Sequence, residues 1–320
     1  MIDLAKLVGT PATKQKPAIN QVEVVQEVLS QQEPDSMLEL REAYAKAKTS
    51  PVDIVLVYGA PKVGKTAFAG SVAKMDCFDT VYYFDVEGSA TTLLNPEIGM
   101  TDKDLDKIKL IPISDTRSTS AAIESLLKYF STTKEETVSI CKAHSKVACV
   151  RCKKAAAQVY TIPAVHNMTD RDCIVIDTIS QVGVSALWAG IELARREEIS
   201  TGKPNAFAKY TKQGELLLDL LTMIQAIRNV TIICTAHSYT LDDDNPKKPT
   251  ITVPAIGTQN FSRNVGKFFT SVVFMSVENK QFKAGSTPTY KLNTLAGSRL
   301  GNKVEKIKDR PPVMADLLEL

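Results

Sequence analysis

The stretch VDIVLVYGAPKVGKT, residues 52–66, decides the fold. Its first half is an apolar, β-branched run of the kind that forms a buried strand. Its second half fits G-x-x-x-x-G-K-[ST] and opens what reads as a helix. A loop that bends so tightly needs Gly59 and Gly64, and it turns its backbone N–H groups toward an anion. The helix that follows adds the positive end of its dipole. Gly59, Ala60, Pro61, Lys62, Val63, Gly64, Lys65, Thr66 and Ala67 therefore read as a cradle for nucleotide phosphates. Lys65 is placed to reach the β- and γ-phosphates and Thr66 to ligate Mg²⁺. The cradle alone does not say what the nucleotide is for.

Outward from this loop, strand-like runs recur at 53–58, 80–85, 108–113, 173–177 and 230–236. Helical stretches at 65–75, 119–131, 180–198 and 213–228 separate them. Near-continuous apolar strands alternating with helices predict an α/β fold around a mainly parallel sheet flanked by helices. Two β-like runs at 270–277 and 288–294 suggest a C-terminal β-hairpin, and 238–262 reads as a long polar loop. The expected organisation is an N-terminal arm with helices over 1–50, broken at Pro34, then a core over 51–310 and a tail over 311–320. An insert at 133–165 interrupts the core's rhythm.

Two carboxylates suit the chemistry of a phosphate site. CIVIDTIS, 173–180, ends an apolar strand in Asp177, at the sheet edge where open α/β folds bind ligands. Asp177 there supports the Mg²⁺ shell, or else only caps a turn. The next residue is Thr178, so this strand has no paired carboxylate to orient water. YFDVEGSA, 83–90, offers Glu87 for that task, with a turn-capping acid as the alternative.

Together GAPKVGKT, FDVEG and IVIDTIS resemble the RecA-like P-loop NTPase family, over about residues 50–310 without the insert. The resemblance implies an ATPase in which Lys65, Glu87 and Asp177 take part in catalysis. It also implies a γ-phosphate sensor at the end of the next strand, TIICTAHS, where this chain has His237. His237 in that place resembles the phage RecA-like proteins of the Sak group, AAA-domain phage proteins that act in single-strand annealing and recombination. A strand cap is the plainer reading of His237. RecA-like enzymes work as filaments or rings with ATP between subunits, so a homo-oligomer and a basic residue from the neighbour are implied. AGSRLGNKVEK, 296–306, offers Arg299 and Lys303 for that role, or a solvated basic turn.

The insert contains CKAHSKVACVRC, 141–152, spaced C-x₂-H-x₄-C-x₂-C. Cys141, His144, Cys149 and Cys152 form the ligand set of a closed, structural Zn²⁺ site, and reduced thiols clustered by chance are the alternative. Lys134, Lys142, Lys146, Arg151, Lys153 and Lys154 surround it against Glu135 and Glu136. Such a basic knob suits phosphate contacts as well as plain solvation.

Charge and composition bound the remaining classes. The chain has 320 residues, 44% hydrophobic, with a net charge of only +3. That total is too mild to mark a nucleic-acid binder, so its distribution matters. Over 260–310 ten Lys/Arg stand against three acids. EEISTGKPNAFAKYTKQ, 197–213, interleaves Lys203, Lys209 and Lys212 with Phe207 and Tyr210, a pattern that addresses both backbone and bases of a single strand. Taken singly, those two aromatics read as anchors of the following helix in the core. No apolar run reaches transmembrane length, about 18 residues, and no secretory core opens the chain, so a cytoplasmic protein is expected, in the host cytoplasm if phage-encoded. The expected function is ATP-dependent action on single-stranded DNA in recombination, annealing or replication, with a single-strand binding protein as a further partner. The rival readings are a hexameric helicase-type motor and an ATP-dependent switch that binds no DNA.

Overall fold

The structure, a computed structural model, describes residues 37–42, 52–147, 149, 152, 158–241, 251–278, 281–285, 293–294, 297–298 and 314–318. The chain divides into two units, 1–45 and 46–320. In the first, 37–42 form a helical turn. The second contains the sheet.

That sheet is built from β1 (Ile54–Gly59), β2 (Thr80–Asp85), β3 (Ile108–Pro112), β6 (Asp172–Asp177), β7 (Thr231–Leu241), β9 (Ser271–Glu278) and β10 (Gln281–Gly285). Their spatial order is β10-β9-β1-β7-β6-β2-β3. Every neighbouring pair from β9 to β3 is parallel, and β10 alone in this order runs antiparallel, against β9. β7 thus lies between the strand that leads into the phosphate loop and the strand that ends in Asp177. All five strand runs expected from the sequence form. Four of them, β1, β2, β6 and β7, have a strand on either side, and β3 closes one edge.

Two-sided burial of the inner strands is visible residue by residue. Successive side chains on a strand point to opposite faces. Ile54, Leu56 and Tyr58 join one core cluster with Ile174, Ile176, Ile232 and Cys234. Val55 and Val57 join the other with Cys173, Val175, Ile233 and Val273. Three helices cover the first face: α2 (Ala121–Ser131), α3 (Ile179–Thr201) and α4 (Ala208–Ala226). The second face carries α1 (Lys65–Gly70), a short 3₁₀ turn, and Met314, Leu317 and Leu318 from the tail.

Several boundaries differ from expectation. The first helix stops at Gly70 and continues as a 3₁₀ turn, Ser71–Lys74. The polar stretch after His237 is not one loop. β7 runs on to Leu241 and pairs antiparallel with β8 (Ile251–Pro254), and α5 (Gln259–Asn264) follows. Their short alternating runs carried too little apolar signal to stand out. β9 pairs antiparallel with β10 at 281–285 and with Gly297–Ser298, whereas Asn293–Thr294, inside the expected second arm, lies parallel to β8. The insert holds an antiparallel pair, β4 (Thr137–Cys141) with β5 (Val159–Pro163), that reading for metal ligands had passed over. Among the described residues no helix is long and apolar enough to cross a membrane.

Candidate active site

Strand register brings the distant motifs together. Gly59 on β1 stands opposite His237 on β7, and Asp85 on β2 opposite Asp177 on β6. The carboxyl ends of four neighbouring strands therefore line up, as ligand sites of open α/β sheets require.

The loop after β1 is shaped by its backbone. Lys62 and Gly64 both take left-handed conformations, with φ 67° and 86°. Gly59 is required for a different reason. A Cβ there would stand 2.4 Å from the Met275 carbonyl oxygen and 2.9 Å from Val63 Cγ2. Gly59→Ala is therefore expected to destabilise the fold by about 1–3 kcal/mol through overpacking, seen as a lower midpoint in urea. An unchanged midpoint would mean that β9 yields.

Lys65 is buried and donates from Nζ to the Ala60 carbonyl at 2.8 Å. Burial pulls its pKa below the usual lysine value, while Glu87 and Asp177 pull it back up. Thr66 donates from Oγ1 to Asp177 Oδ2 at 2.8 Å. Asp177 is wholly buried, and its side-chain partners among the described residues are all hydroxyls. Tyr83 at 2.6 Å and Ser89 at 2.8 Å also donate to Oδ2, and Thr235 donates to Oδ1. Burial first, then the Asp177 charge, pushes the Tyr83 hydroxyl well above its ordinary pKa, so it stays a donor.

Glu87 leaves β2 through a turn tied down by Asp85, whose carboxylate accepts from the N–H groups of Gly88, Ser89 and Ala90. Burial raises the Asp85 carboxyl against the pull of those donors. The backbone N–H of Glu87 bonds the Asp177 carbonyl at 3.1 Å, which fixes this turn to β6. Its side chain meets His237, with Nε2 2.9 Å from Oε1. The backbone N–H of His237 donates to Ser180 Oγ at 2.8 Å.

Lys65, Thr66, Glu87 and His237 line one cavity of about 660 Å³, with Pro61, Lys62, Gly64 and Ala67. Its volume falls in the usual range for a small-molecule ligand, about 300–1,000 Å³. Lys74, Thr92, Asn95, Glu97 and Ile98 form a wall that the sequence reading missed. Also missed were Tyr83, Ser89 and Thr235 around Asp177. Thr235 was within reach, because it lies two residues before His237 and so shares its face of β7. The donor set fits Mg²⁺: a hydroxyl and a carboxylate 2.8 Å apart match neighbouring ligands of an octahedron with bonds of about 2.0–2.1 Å. Arg299 and Lys303 lie outside the described residues.

A family profile described as an AAA domain matches residues 53–300. The chain belongs to this AAA-domain family. The chain is an ATPase, and its core is a mainly parallel α/β sheet around the glycine-rich loop. No curated protein matches the sequence. Among solved structures, the RadB recombinase is similar at 17% identity and TM-score 0.32, over 74% of this chain and 81% of that one. The flagellar accessory protein FlaH from Methanocaldococcus jannaschii matches at 13% and 0.34, over 78% and 82%. An ATPase from the type III secretion system of pathogenic bacteria matches at 12% and 0.39, over 70% of this chain but only 52% of its own length. These likenesses are too distant to carry function.

The second cluster is also assembled. One ligand atom from each of Cys141, His144, Cys149 and Cys152 lies within 4.8 Å of the others. His144 Nδ1 stands 3.2 Å from Cys152 Sγ, 3.7 Å from Cys149 Sγ and 3.8 Å from Cys141 Sγ. Tetrahedral Zn²⁺, with bonds of about 2.3 Å to sulfur and 2.0–2.1 Å to nitrogen, sets such edges near 3.6 Å, so the set fits. The knuckle is bolted to the core by Ser145, whose Oγ accepts from Ser114 N at 2.9 Å and whose carbonyl accepts from Ser125 Oγ at 2.5 Å.

The aromatics of 197–213 correct an expectation. Phe207 is 75% exposed and Tyr210 42% exposed, so neither anchors α4 in the core. Lys209 Nζ lies 5.0 Å from the centre of the Tyr210 ring.

Proposed function

We propose that the chain binds and hydrolyses ATP to order a multi-subunit surface on single-stranded DNA, in recombination, annealing or replication. The observation that carries the coupling is the Glu87–His237 contact in the lining of the cavity. Glu87 orients and deprotonates the attacking water. His237 sits where a terminal phosphate and Glu87 compete for the same Nε2, and β7 carries that choice on to Leu241 along its pairing with β8. Lys65 and the loop N–H groups hold the phosphates. Thr66 with Asp177 would hold Mg²⁺, which when bound would supply positive charge beside the phosphate oxygens. Arg299 or Lys303 of a neighbouring copy supplies the further positive charge in a ring or filament. Zn²⁺ in the Cys₃His cluster is structural, because four protein ligands leave no position for water. The DNA reading draws on the exposed Phe207 and Tyr210 between lysines, on the basic segment 260–310, and on the resemblance to Sak-group proteins of phage. It implies a place in the host cytoplasm and a single-strand binding protein as partner.

The test is ATP hydrolysis by purified protein with and without single-stranded DNA, beside Lys65→Ala. Stimulation that vanishes in the variant supports the reading, and turnover indifferent to DNA favours a switch. Unwinding of a forked duplex would favour the helicase-type motor. Phe207→Ala and Tyr210→Ala are each expected to weaken binding of a fluorescent single strand by about 1–3 kcal/mol, the scale of one base stacked on one ring. Unchanged affinity in both would move the DNA surface elsewhere.

A further inference from the structure

Ser89 stands at the centre of the phosphate site without a part in the chemistry above. Its Oγ lies 2.8 Å from Asp177 Oδ2 and 3.3 Å from Thr66 Oγ1, and Thr66 Oγ1 lies 2.8 Å from the same carboxylate oxygen. Three oxygens from three chain segments thus form a triangle with edges of 2.8, 2.8 and 3.3 Å. Neighbouring ligands of Mg²⁺, bound at about 2.0–2.1 Å, are about 2.9 Å apart, so the triangle is the size of one face of its octahedron.

Proton counting supports a cation there. A hydroxyl carries one proton. Thr66 and Ser89 each direct theirs to Asp177 Oδ2, so none remains for the 3.3 Å contact between them. Two lone-pair-bearing oxygens face each other beside a fully buried carboxylate, whose hydrogen-bond partners among the described residues are neutral hydroxyls. Ser89 is also held in place, since its N–H donates to Asp85 Oδ1 at 2.9 Å. It lines the same cavity as Lys65 and Thr66.

We propose that Ser89 supplies a third protein oxygen to the Mg²⁺ bound with the nucleotide, beside Thr66 and Asp177. The proposal rests on the ATP-binding reading above. It makes the turn after Glu87 a sensor of the metal as well as a carrier of the base, because Ser89 is two residues from Glu87.

The experiment measures equilibrium binding of a non-hydrolysable ATP analogue, with Mg²⁺ and with excess EDTA, by wild type, Ser89→Ala and Ser89→Cys. Wild type should bind more tightly with Mg²⁺. Ser89→Ala should lose about tenfold or more of that Mg²⁺-dependent affinity and none of the metal-free affinity. Ser89→Cys should resemble Ser89→Ala with Mg²⁺ and regain affinity with Cd²⁺, because a sulfur ligand favours a soft ion. The Cys₃His cluster is common to all three proteins and cancels in the comparison. Equal losses with and without metal, wild-type behaviour of Ser89→Ala, or no recovery of Ser89→Cys with Cd²⁺ would each overturn the proposal. If wild type itself fails to bind the analogue, the ATP reading falls as well, which separates the two failures.

Discussion

Glu87→Gln is expected to lower ATP turnover about 10²–10⁴-fold while ATP affinity stays within a few-fold of wild type. The substitution keeps size and keeps an oxygen that can accept from His237 Nε2, so the 2.9 Å contact survives. It removes only the ability to take a proton from water. The Glu87 side chain meets His237 rather than the phosphate loop, so binding has little reason to change. Neither carboxylate at the neighbouring strand ends can substitute. Asp85 is committed to three backbone N–H groups of the turn, and Asp177 is enclosed by four hydroxyls. Single-turnover hydrolysis and analogue binding, measured on the same preparation, check the split. Turnover that survives in Glu87→Gln would assign the base elsewhere. Asp85→Asn makes the contrasting control, because it should loosen the turn itself and weaken binding together with turnover.

Removing the zinc proposed for the Cys₃His cluster should produce the second large effect. Chelation, or Cys141→Ser, is expected to cost about 4 kcal/mol, the scale at which loss of a metal ranks among the most damaging single changes. For a chain of this size that corresponds to a fall of roughly 6 °C in melting midpoint. The cluster closes a loop whose two ends are β4 and β5, and Ser145 within it carries bonds to both Ser114 and α2. Loss of metal therefore loosens the covering of one sheet face as well as the knuckle. ATP affinity should change little, since the phosphate loop and α1 pack on the opposite face. Metal analysis should find one zinc per chain in native protein. Protein that contains no zinc, with a midpoint and a reactivity of Cys149 and Cys152 indifferent to chelator, would return the cluster to four ordinary side chains.

The amino-acid sequence alone determined the parts of this protein that local chemistry dictates. Apolar runs such as DIVLVY and CIVID put a hydrophobic side chain on both faces of a strand, so they had to lie inside a sheet covered on both sides. The run at 108–113 is less uniformly apolar, and it became the edge strand β3. The phosphate loop was legible because glycine spacing, a lysine and a hydroxyl fall within one short segment. The four residues of the Cys₃His cluster were legible for the same reason. The tertiary structure decided what depends on which strands become neighbours. Placing β7 between β1 and β6 sets His237 beside Gly59 and Thr235 beside Asp177. Their separation in sequence, 58 residues for the last pair, hides that contact from any local pattern. Tyr83 and Ser89 were invisible as partners of Asp177 because a hydroxyl on a strand or a turn has no signature until a carboxylate faces it. The exposure of Phe207 and Tyr210 was decided the same way. An aromatic residue at a helix start packs inward only if a neighbouring element offers a surface there, and here α3 and α4 leave both rings open to water.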